Sequence, residues 1–225
     1  RVVEIGPGLG SLTLALADTG ASVTAIEIDD VLVEVLAETT AGRDVTVLHA
    51  DAMGVDWDSL LGGLQWTLVA NLPYNISVPL ICDLLDDVPG IGRMLVMVQK
   101  EVAERLVAVP GDGAYGLPSV KVAYHSRARI VGRVPPSAFL PRPRVDSTLV
   151  ELQRLEVKAV SADPDLLFGL VRAGFGQRRK MLRRSLAGLA GAEAFEMAGV
   201  APTARAEELG LDDWASLVEA VAVTG

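Results

Sequence analysis

Short apolar runs alternate with amphipathic helical patterns through the first hundred residues, and this alternation constrains the fold more than any other feature. Apolar runs separated by helices are typical of a parallel sheet with helices on both faces. Predicted strands cover residues 2–5, 22–27, 45–48, 67–70 and 94–98, and predicted helices cover residues 11–18, 31–39, 78–86 and 101–107. The sequence therefore predicts an α/β fold built on a mostly parallel sheet.

The pattern changes after about residue 120. Residues 121–130 and 147–155 have the extended pattern of antiparallel strands, which would close one edge of the sheet. Beyond about Lys158 the helical pattern returns, and Pro164 suits the first turn of a helix. We therefore expect one domain at residues 1–157 and a small all-helical domain at residues 158–225.

Cysteine and histidine are scarce in this chain. A single cysteine, Cys82, excludes an internal disulfide, and with only two histidines the sequence argues against a Cys/His zinc site. No run of about eighteen residues is apolar without interruption, so we expect no membrane segment. These features together indicate a protein of a reducing compartment, the cytoplasm, with no metal and no membrane partner.

Positive charge is concentrated in the middle of a chain whose formal net charge is −9. Residues 121–184 carry 14 lysines and arginines against 5 acidic residues, whereas residues 1–100 carry 4 against 14. Steering and counterion release depend on the local field and not on the total charge. The acidic total therefore does not exclude a nucleic-acid partner.

A glycine-rich turn links the first predicted strand to the first predicted helix, in the order Gly6-Pro7-Gly8-Leu9-Gly10. Glycines allow the backbone to approach a ligand closely, because no Cβ stands in the way. The dinucleotide fingerprint requires a glycine where this chain has Ser11. The turn therefore favours a nucleoside ligand without a pyrophosphate.

Two carboxylates follow the next predicted strands. Glu27 ends the second strand, where it could accept hydrogen bonds from both ribose hydroxyls of a nucleoside. Asp51 follows the third strand and could accept from an adenine amine, although a helix cap is its plainer interpretation. Asp29 and Asp30 are interpreted as charges at a helix N-terminus.

The motif Asn71-Leu72-Pro73-Tyr74 directly follows the fourth predicted strand. Methylation of an adenine amine requires its lone pair to be drawn out of the ring, and an asparagine oxygen and a main-chain carbonyl can each accept one N–H to do so. Tyr74 offers a face for an extruded base, worth about 1–3 kcal/mol. The motif therefore indicates methyl transfer to a nucleobase amine.

Together these residues resemble the ribosomal RNA adenine N6,N6-dimethyltransferases, and the resemblance covers nearly the whole chain. Residues 71–77 are similar to the fullest form of that family's catalytic motif. Later blocks at residues 99–106, 115–116, 139–147 and 175–182 resemble the family in the same order. The resemblance implies a Rossmann-like S-adenosylmethionine-dependent methyltransferase sheet followed by a helical domain that binds RNA or the ribosome.

The resemblance also implies particular roles for particular residues. The implied catalytic residues are Asn71, Leu72, Pro73, Tyr74 and Phe139, and the implied contacts to S-adenosylmethionine are Gly6, Gly8, Glu27, Ile28, Asp51, Ala52 and Asn71. The implied substrate is a pair of adjacent adenines in the 3′-terminal hairpin loop of 16S rRNA, within a pre-30S ribosomal subunit, modified by a monomer. Family members carry an upstream Gln-Asn-Phe-Leu-type block that has no counterpart here, so we expect a missing N-terminal segment.

A basic surface is predicted in the second half of the chain. Its C-terminal members are expected on consecutive helical turns, where they cannot all face a core. The predicted RNA-binding residues are Arg142, Arg144, Arg178, Arg179, Lys180, Arg183 and Arg184. A solvated helix face is the alternative interpretation.

Three other functions remain open on the sequence. A 23S rRNA adenine N6-methyltransferase of the erythromycin-resistance type would use the same chemistry, although residues 177–180 and Asn75-Ile76 favour the small-subunit enzyme. A non-catalytic relative that binds RNA or acts in transcription would not need the intact motif at residues 71–74. A nicotinamide-dependent dehydrogenase is disfavoured by the glycine spacing.

Overall fold

The first hundred residues build the parallel part of a seven-stranded sheet. The computed structural model describes residues 1–139 and 145–224. The strand order is β3-β2-β1-β4-β5-β7-β6, in which β1 to β5 are parallel and β7 is antiparallel to β5. The strands are β1 (Val2–Ile5), β2 (Val23–Glu27), β3 (Val45–His49), β4 (Trp66–Asn71), β5 (Ile91–Gln99), β6 (Ser126–Val134) and β7 (Ser147–Arg154). The predicted α/β class and the antiparallel edge are confirmed.

Helices connect the parallel strands as their apolar spacing predicted. They are α1 (Ser11–Asp18), α2 (Asp30–Thr39), α3 (Trp57–Leu61), α4 (Ser77–Asp87) and α5 (Lys100–Val107). Four of these were predicted within one or two residues, whereas α3 is a five-residue helix, too short to show a period. Asp29 caps α2 by accepting from the main-chain N–H groups of Val31 and Leu32, at 2.9 and 3.0 Å.

The prediction of a strand at residues 121–130 is wrong for its first half. Residues Leu117–His125 form helix α6, and β6 begins only at Ser126. Pro118 at the start of α6 favours the helical state, which the extended pattern at residues 121–130 did not take into account. The Ser119 hydroxyl accepts from the Gly116 main-chain N–H at 3.1 Å, which completes the helix N-terminus.

The end of α4 is held by one arginine. The Arg154 guanidinium donates to the main-chain carbonyls of Leu84, Leu85, Val88 and Ile91, at 2.8–3.1 Å. The last carbonyls of a helix have no partner within the helix, so a side chain that satisfies them stabilises its end. Since α4 begins three residues after Tyr74, Arg154 fixes the far end of the helix that follows the motif at residues 71–74.

The described chain divides into two compact units. The first comprises residues 1–103 and 127–154, and the second comprises residues 104–126 together with the chain from 155 onward. Helices of the second unit are α6, α7 (Pro164–Gly176), α8 (Leu182–Ser185), α9 (Ala192–Ala198) and α10 (Leu211–Thr224). They enclose their own core around Trp214, Phe195 and Leu167. Residues 104–126, which the sequence placed in the first domain, therefore belong to the helical unit.

Candidate active site

The residues predicted to bind a nucleoside lie at one edge of the sheet. Paired positions in the parallel register include Ile5 with Ile26, Glu27 with His49, and Asn71 with Met97, so these strands end at the same edge. The strand order reverses between β1 and β4, and in open α/β sheets ligands bind outside the carboxyl ends of strands at such a reversal.

The glycine turn adopts a backbone that few other residues could follow. Gly6, Gly8 and Gly10 have φ values of 67°, 57° and 86°, in the left-handed region. A Cβ on Gly6 would lie 3.6 Å from the Pro73 ring, and a Cβ on Gly10 would lie 2.8 Å from Leu36 Cδ1. No described atom lies within 4 Å of the corresponding position on Gly8. The turn thus packs closely on two sides and leaves open space at its centre.

The Glu27 carboxylate is fixed by main-chain donors although the side chain is buried. Its Oε1 accepts from the N–H groups of Ile28 at 2.8 Å and Asp29 at 3.1 Å, and its Oε2 accepts from Gly8 at 3.2 Å. The last of these bonds joins the glycine turn to the end of β2. Ile28, the next residue, is 62% exposed, which is unusual for an isoleucine and leaves an apolar surface beside the carboxylate.

Asp51 and Ala52 lie at the end of β3, in line with the other strand ends. Asp51 caps a single 3-10 turn (Ala52–Gly54), where its Oδ1 accepts from the Met53 N–H at 2.9 Å. Ala52 is buried, whereas Asp51 is exposed. The Asp51 carboxylate therefore caps this turn, which is the plainer of the two interpretations given above. Because the side chain is exposed, the carboxylate also remains accessible to a ligand amine.

The motif at residues 71–74 has one buried side chain, Leu72, among three exposed ones. Asn71 is the last residue of β4 and is exposed, whereas Leu72 is 1% exposed and donates its N–H to the Met97 carbonyl at 3.1 Å. Tyr74 is 40% exposed, with its Oη 3.4 Å from Ser147 Oγ on β7. A buried leucine thus anchors an amide and an aromatic ring at the sheet edge.

Phe139 was predicted to cover the other face of a target adenine. It is half-buried and directly follows a 3-10 turn (Pro136–Ala138) that comes after β6. Its backbone is extended, with φ −117° and ψ 149°. The structure therefore gives its position in the chain, and its role stays a prediction.

The predicted RNA-binding arginines differ in their surroundings. Arg178 donates to Glu207 Oε2 at 2.6 Å and to the Gly113 carbonyl at 2.9 Å, so it holds the second unit together. Arg179, Lys180, Arg183 and Arg184 are exposed. The predicted continuous helical face is wrong, because α7 ends at Gly176 and α8 begins at Leu182. Arg142 and Arg144 lie outside the described residues.

One buried acidic residue was missed by the sequence reasoning. Glu4 lies in β1 and is 1% exposed, and its Oε2 has no hydrogen-bond partner among the described residues. Burial raises the pKa of this carboxyl to about 7. The signal was present in the sequence, since Glu4 is a charged residue inside an otherwise apolar strand directly before the glycine turn.

Within residues 1–139 and 145–224, no three histidine, cysteine or acidic side chains are grouped as metal ligands would be. Among the same residues, none of the helices combines the length and apolar character needed to cross a membrane.

The strand order, the glycine turn at the reversal and the asparagine motif on β4 define the class: a Rossmann-like, S-adenosylmethionine-dependent methyltransferase. A family model described as ribosomal RNA adenine dimethylase matches residues 1–222, and the chain belongs to that family.

Individual relatives agree with this assignment. Ribosomal RNA small subunit methyltransferase A of Cutibacterium acnes is 47% identical over 242 residues, covering 100% of this chain and 80% of the relative. The protein of the same name from Kineococcus radiotolerans is 48% identical, and the match covers 96% of this chain and 75% of the relative. A Plasmodium falciparum dimethyladenosine transferase structure matches with a TM-score of 0.78 and 26% identity, covering 96% of this chain and 87% of that one. The structure of the 23S rRNA methyltransferase ErmE matches with a TM-score of 0.72 and 26% identity, covering 98% of this chain and 90% of that one.

Proposed function

We propose that this protein transfers methyl groups from S-adenosylmethionine to the N6 amines of two adjacent adenines in the 3′-terminal hairpin loop of 16S rRNA. The observation that carries the proposal is the position of Asn71, exposed at the sheet edge beside the glycine turn. Relatives that are 47–48% identical are named ribosomal RNA small subunit methyltransferase A, which favours the small subunit over the 23S substrate of ErmE.

The residues at the sheet edge fit an adenosine-bearing cofactor. Open space above Gly8 admits a ligand to the turn, and the fixed Glu27 carboxylate has acceptor capacity left for ribose hydroxyls. Exposed Ile28 offers an apolar face for adenine, and Asp51 with Ala52 would hold the adenine edge. When bound, S-adenosylmethionine supplies an electrophilic methyl group on a sulfonium.

Asn71 and Leu72 would prepare the target amine. The adenine N6 lone pair is delocalised into the ring, so a flat amine is a poor nucleophile. The Asn71 side-chain oxygen and the Leu72 main-chain carbonyl, which precedes Pro73, would each accept one N–H. Fixed acceptors of this kind favour a pyramidal nitrogen with its lone pair directed away from the ring. No general base is needed beforehand, because the nitrogen becomes acidic once methylated.

Tyr74 would hold the extruded base in place. Its ring is 40% exposed, and its hydroxyl is oriented toward Ser147 on β7. Stacking on an aromatic ring contributes about 1–3 kcal/mol per base, which is comparable to the few kcal/mol that unstacking a nucleotide costs. Phe139 would cover the opposite face of the adenine.

The RNA would be bound as part of a pre-30S subunit. Arg179, Lys180, Arg183 and Arg184 are exposed and supply phosphate contacts in the second unit, whereas Arg178 serves mainly the structure of that unit. Surfaces of this kind recognise RNA by shape and backbone more than by base sequence. The enzyme would act as a monomer in the cytoplasm, where ribosomal subunits assemble.

Methylation of defined substrates tests the proposal. Unmethylated 30S particles and 23S rRNA would each be incubated with the protein and labelled S-adenosylmethionine, followed by mass analysis of the adenines. We expect dimethyladenosine in 16S rRNA only, and an Asn71→Ala variant should lose about 100-fold or more in rate, while the other expected cofactor contacts, Glu27 and Asp51 among them, remain. Label in 23S rRNA alone, or a native rate for the variant, would overturn the proposal.

A further inference from the structure

Two buried serines contact the two polar ends of Tyr74. Ser77 Oγ donates to the Tyr74 main-chain carbonyl at 3.2 Å, and Ser147 Oγ lies 3.4 Å from Tyr74 Oη. Both serines are almost completely buried, whereas Tyr74 is exposed. Tyr74 is therefore an exposed aromatic residue whose main chain and hydroxyl both reach buried partners.

The main chain around Tyr74 is fixed by local hydrogen bonds. Ile76 donates its N–H to the Pro73 carbonyl at 3.3 Å, and Ser77 begins helix α4. The orientation of the ring depends in addition on two side-chain torsions, which these main-chain bonds do not set. The contact between Oη and Ser147 restricts both torsions, because it fixes the far end of the side chain.

Ser147 lies across one strand from the asparagine motif. Strand β5 pairs with Asn71 on one side and with Ser147 on the other. Neighbouring strands are about 4.8 Å apart, so the contact with Tyr74 bridges the end of β5. The Lys100 N–H donates to the Asp146 carbonyl at 3.0 Å, which continues the pairing of β5 and β7 by one step and fixes the main chain beside Ser147.

A hydrogen bond at the hydroxyl suits a ring on which a base stacks. Oη lies in the plane of the ring, at the point farthest from the main chain, so a bond there fixes the ring plane and covers neither face. Methyl transfer requires the amine to lie in line with the sulfonium methyl, and the orientation of the stacked base determines whether it does. A ring that turned freely would have to be ordered each time a base bound.

We propose that Ser147 is a positioning residue, whose hydroxyl fixes the Tyr74 ring at the angle that directs the stacked adenine toward the methyl donor. This inference rests on the proposed function, since it gives Ser147 a part in the same site. The simpler interpretation is that the bond contributes only to stability. A purely structural bond would change the unfolding of a variant but not the turnover rate of the folded protein.

A double-mutant cycle of Ser147→Ala and Tyr74→Phe separates the two interpretations, because each substitution removes one oxygen of the same bond. Turnover of unmethylated 30S particles would be measured for both single variants and for the double variant. Thr148→Val is the matched control: Thr148 is the next residue of β7 and equally buried, and its hydroxyl has no hydrogen-bond partner among the described residues.

Each single variant should lose about tenfold in kcat, the upper end of what one neutral hydrogen bond contributes, with KM and cofactor affinity within about twofold of the native values. The double variant should also lose about tenfold, and the control should match the native protein. A loss of about 100-fold in the double variant, the product of two independent effects, would overturn the inference, as would a native kcat for Ser147→Ala.

The orientation of the ring can also be measured without a substrate. The chain has three tyrosines, so labelling with 3-fluorotyrosine gives fluorine NMR signals from three sites, and Tyr74→Phe identifies the signal of Tyr74. In Ser147→Ala this signal should move toward that of free 3-fluorotyrosine, whereas the signals of the buried Tyr115 and Tyr124 should not move. An unchanged Tyr74 signal would contradict the inference.

The two measurements distinguish this inference from the proposed function. If the Tyr74 signal moves as expected but the native protein methylates no 16S rRNA, the proposed function fails and the fixing of the ring by Ser147 stands. If the native protein methylates 16S rRNA and Ser147→Ala does so at the native rate, the proposed function stands and the inference fails.

Discussion

Substitution of Glu27 by glutamine should weaken binding of S-adenosylmethionine with little loss of fold. The carboxylate accepts two main-chain bonds at Oε1, from Ile28 and Asp29, and one at Oε2, from Gly8. The amide oxygen of glutamine will take the position with two donors, which leaves its NH2 group facing the Gly8 N–H. We therefore expect a stability loss of about 1–2 kcal/mol, the cost of one unsatisfied donor.

The larger effect falls on the cofactor. Hydrogen bonds to a charged acceptor contribute about 1.5–3 kcal/mol and those between neutral groups about 0.5–1.5, so two ribose contacts should lose about 2 kcal/mol together. At 1.4 kcal/mol per factor of ten, Kd should rise about 30-fold. Titration calorimetry with S-adenosylmethionine measures this directly, with Glu34→Gln, an exposed acidic residue of α2, as the control. A folded Glu27→Gln protein whose Kd lies within threefold of the native value would refute the reasoning.

Two further predictions concern stability. Arg154→Met should lower the free energy of unfolding by about 3–5 kcal/mol, because the carbonyls of Leu84 and Leu85 in α4, of Val88 after it and of Ile91 in β5 lose a charged donor. A loss below about 1 kcal/mol in urea unfolding would show that water replaces the guanidinium without cost. Glu4 has a pKa near 7 in the folded protein, against 4.5 for an ordinary glutamate, so it binds its proton more tightly when the protein is folded. Its contribution to the free energy of unfolding therefore falls as pH rises from about 4.5 to 7, by at most about 3 kcal/mol. The substitution Glu4→Gln should remove this dependence of stability on pH. Unfolding curves across this pH range that are parallel for both proteins would contradict the second prediction.

Residues at the ends of parallel strands were the most predictable part of the site. A glycine turn after an apolar run, and polar residues after the next runs, determine where a ligand can approach, because parallel strands end at one edge. The turn at Gly6, the carboxylate of Glu27 and the motif at Asn71 all lie there. Their chemical roles remain predictions.

Other features depend on contacts that are distant in sequence. The strand predicted at residues 121–130 overlaps the second half of α6, whose packing within the second unit outweighs the local preference for an extended chain. Arg178 was grouped with its neighbours by charge and by an expected helical spacing, yet its partner Glu207 is 29 residues away. No pattern of nearby residues could have indicated that pairing.

Glu4 is the opposite case: its charge within an apolar strand is visible in the sequence, but its burial depends on residues that are distant in the chain. A single acidic residue within an apolar strand stands out in the sequence. Whether it is solvated, paired or buried without a partner depends on the helix that covers it. Only the fold showed that it is buried, close to the side chain of Thr13 in α1.

Strand β4 ends in an exposed asparagine that is followed by a fully buried leucine. Because neighbouring strand positions face opposite ways, a slip of one residue against β5 would turn the asparagine amide inward and expose the leucine. An insertion or deletion of one residue within β4 should therefore abolish the reaction even with every side chain of the motif intact. For the proposed reaction, the length of this strand should therefore matter as much as the amide of Asn71.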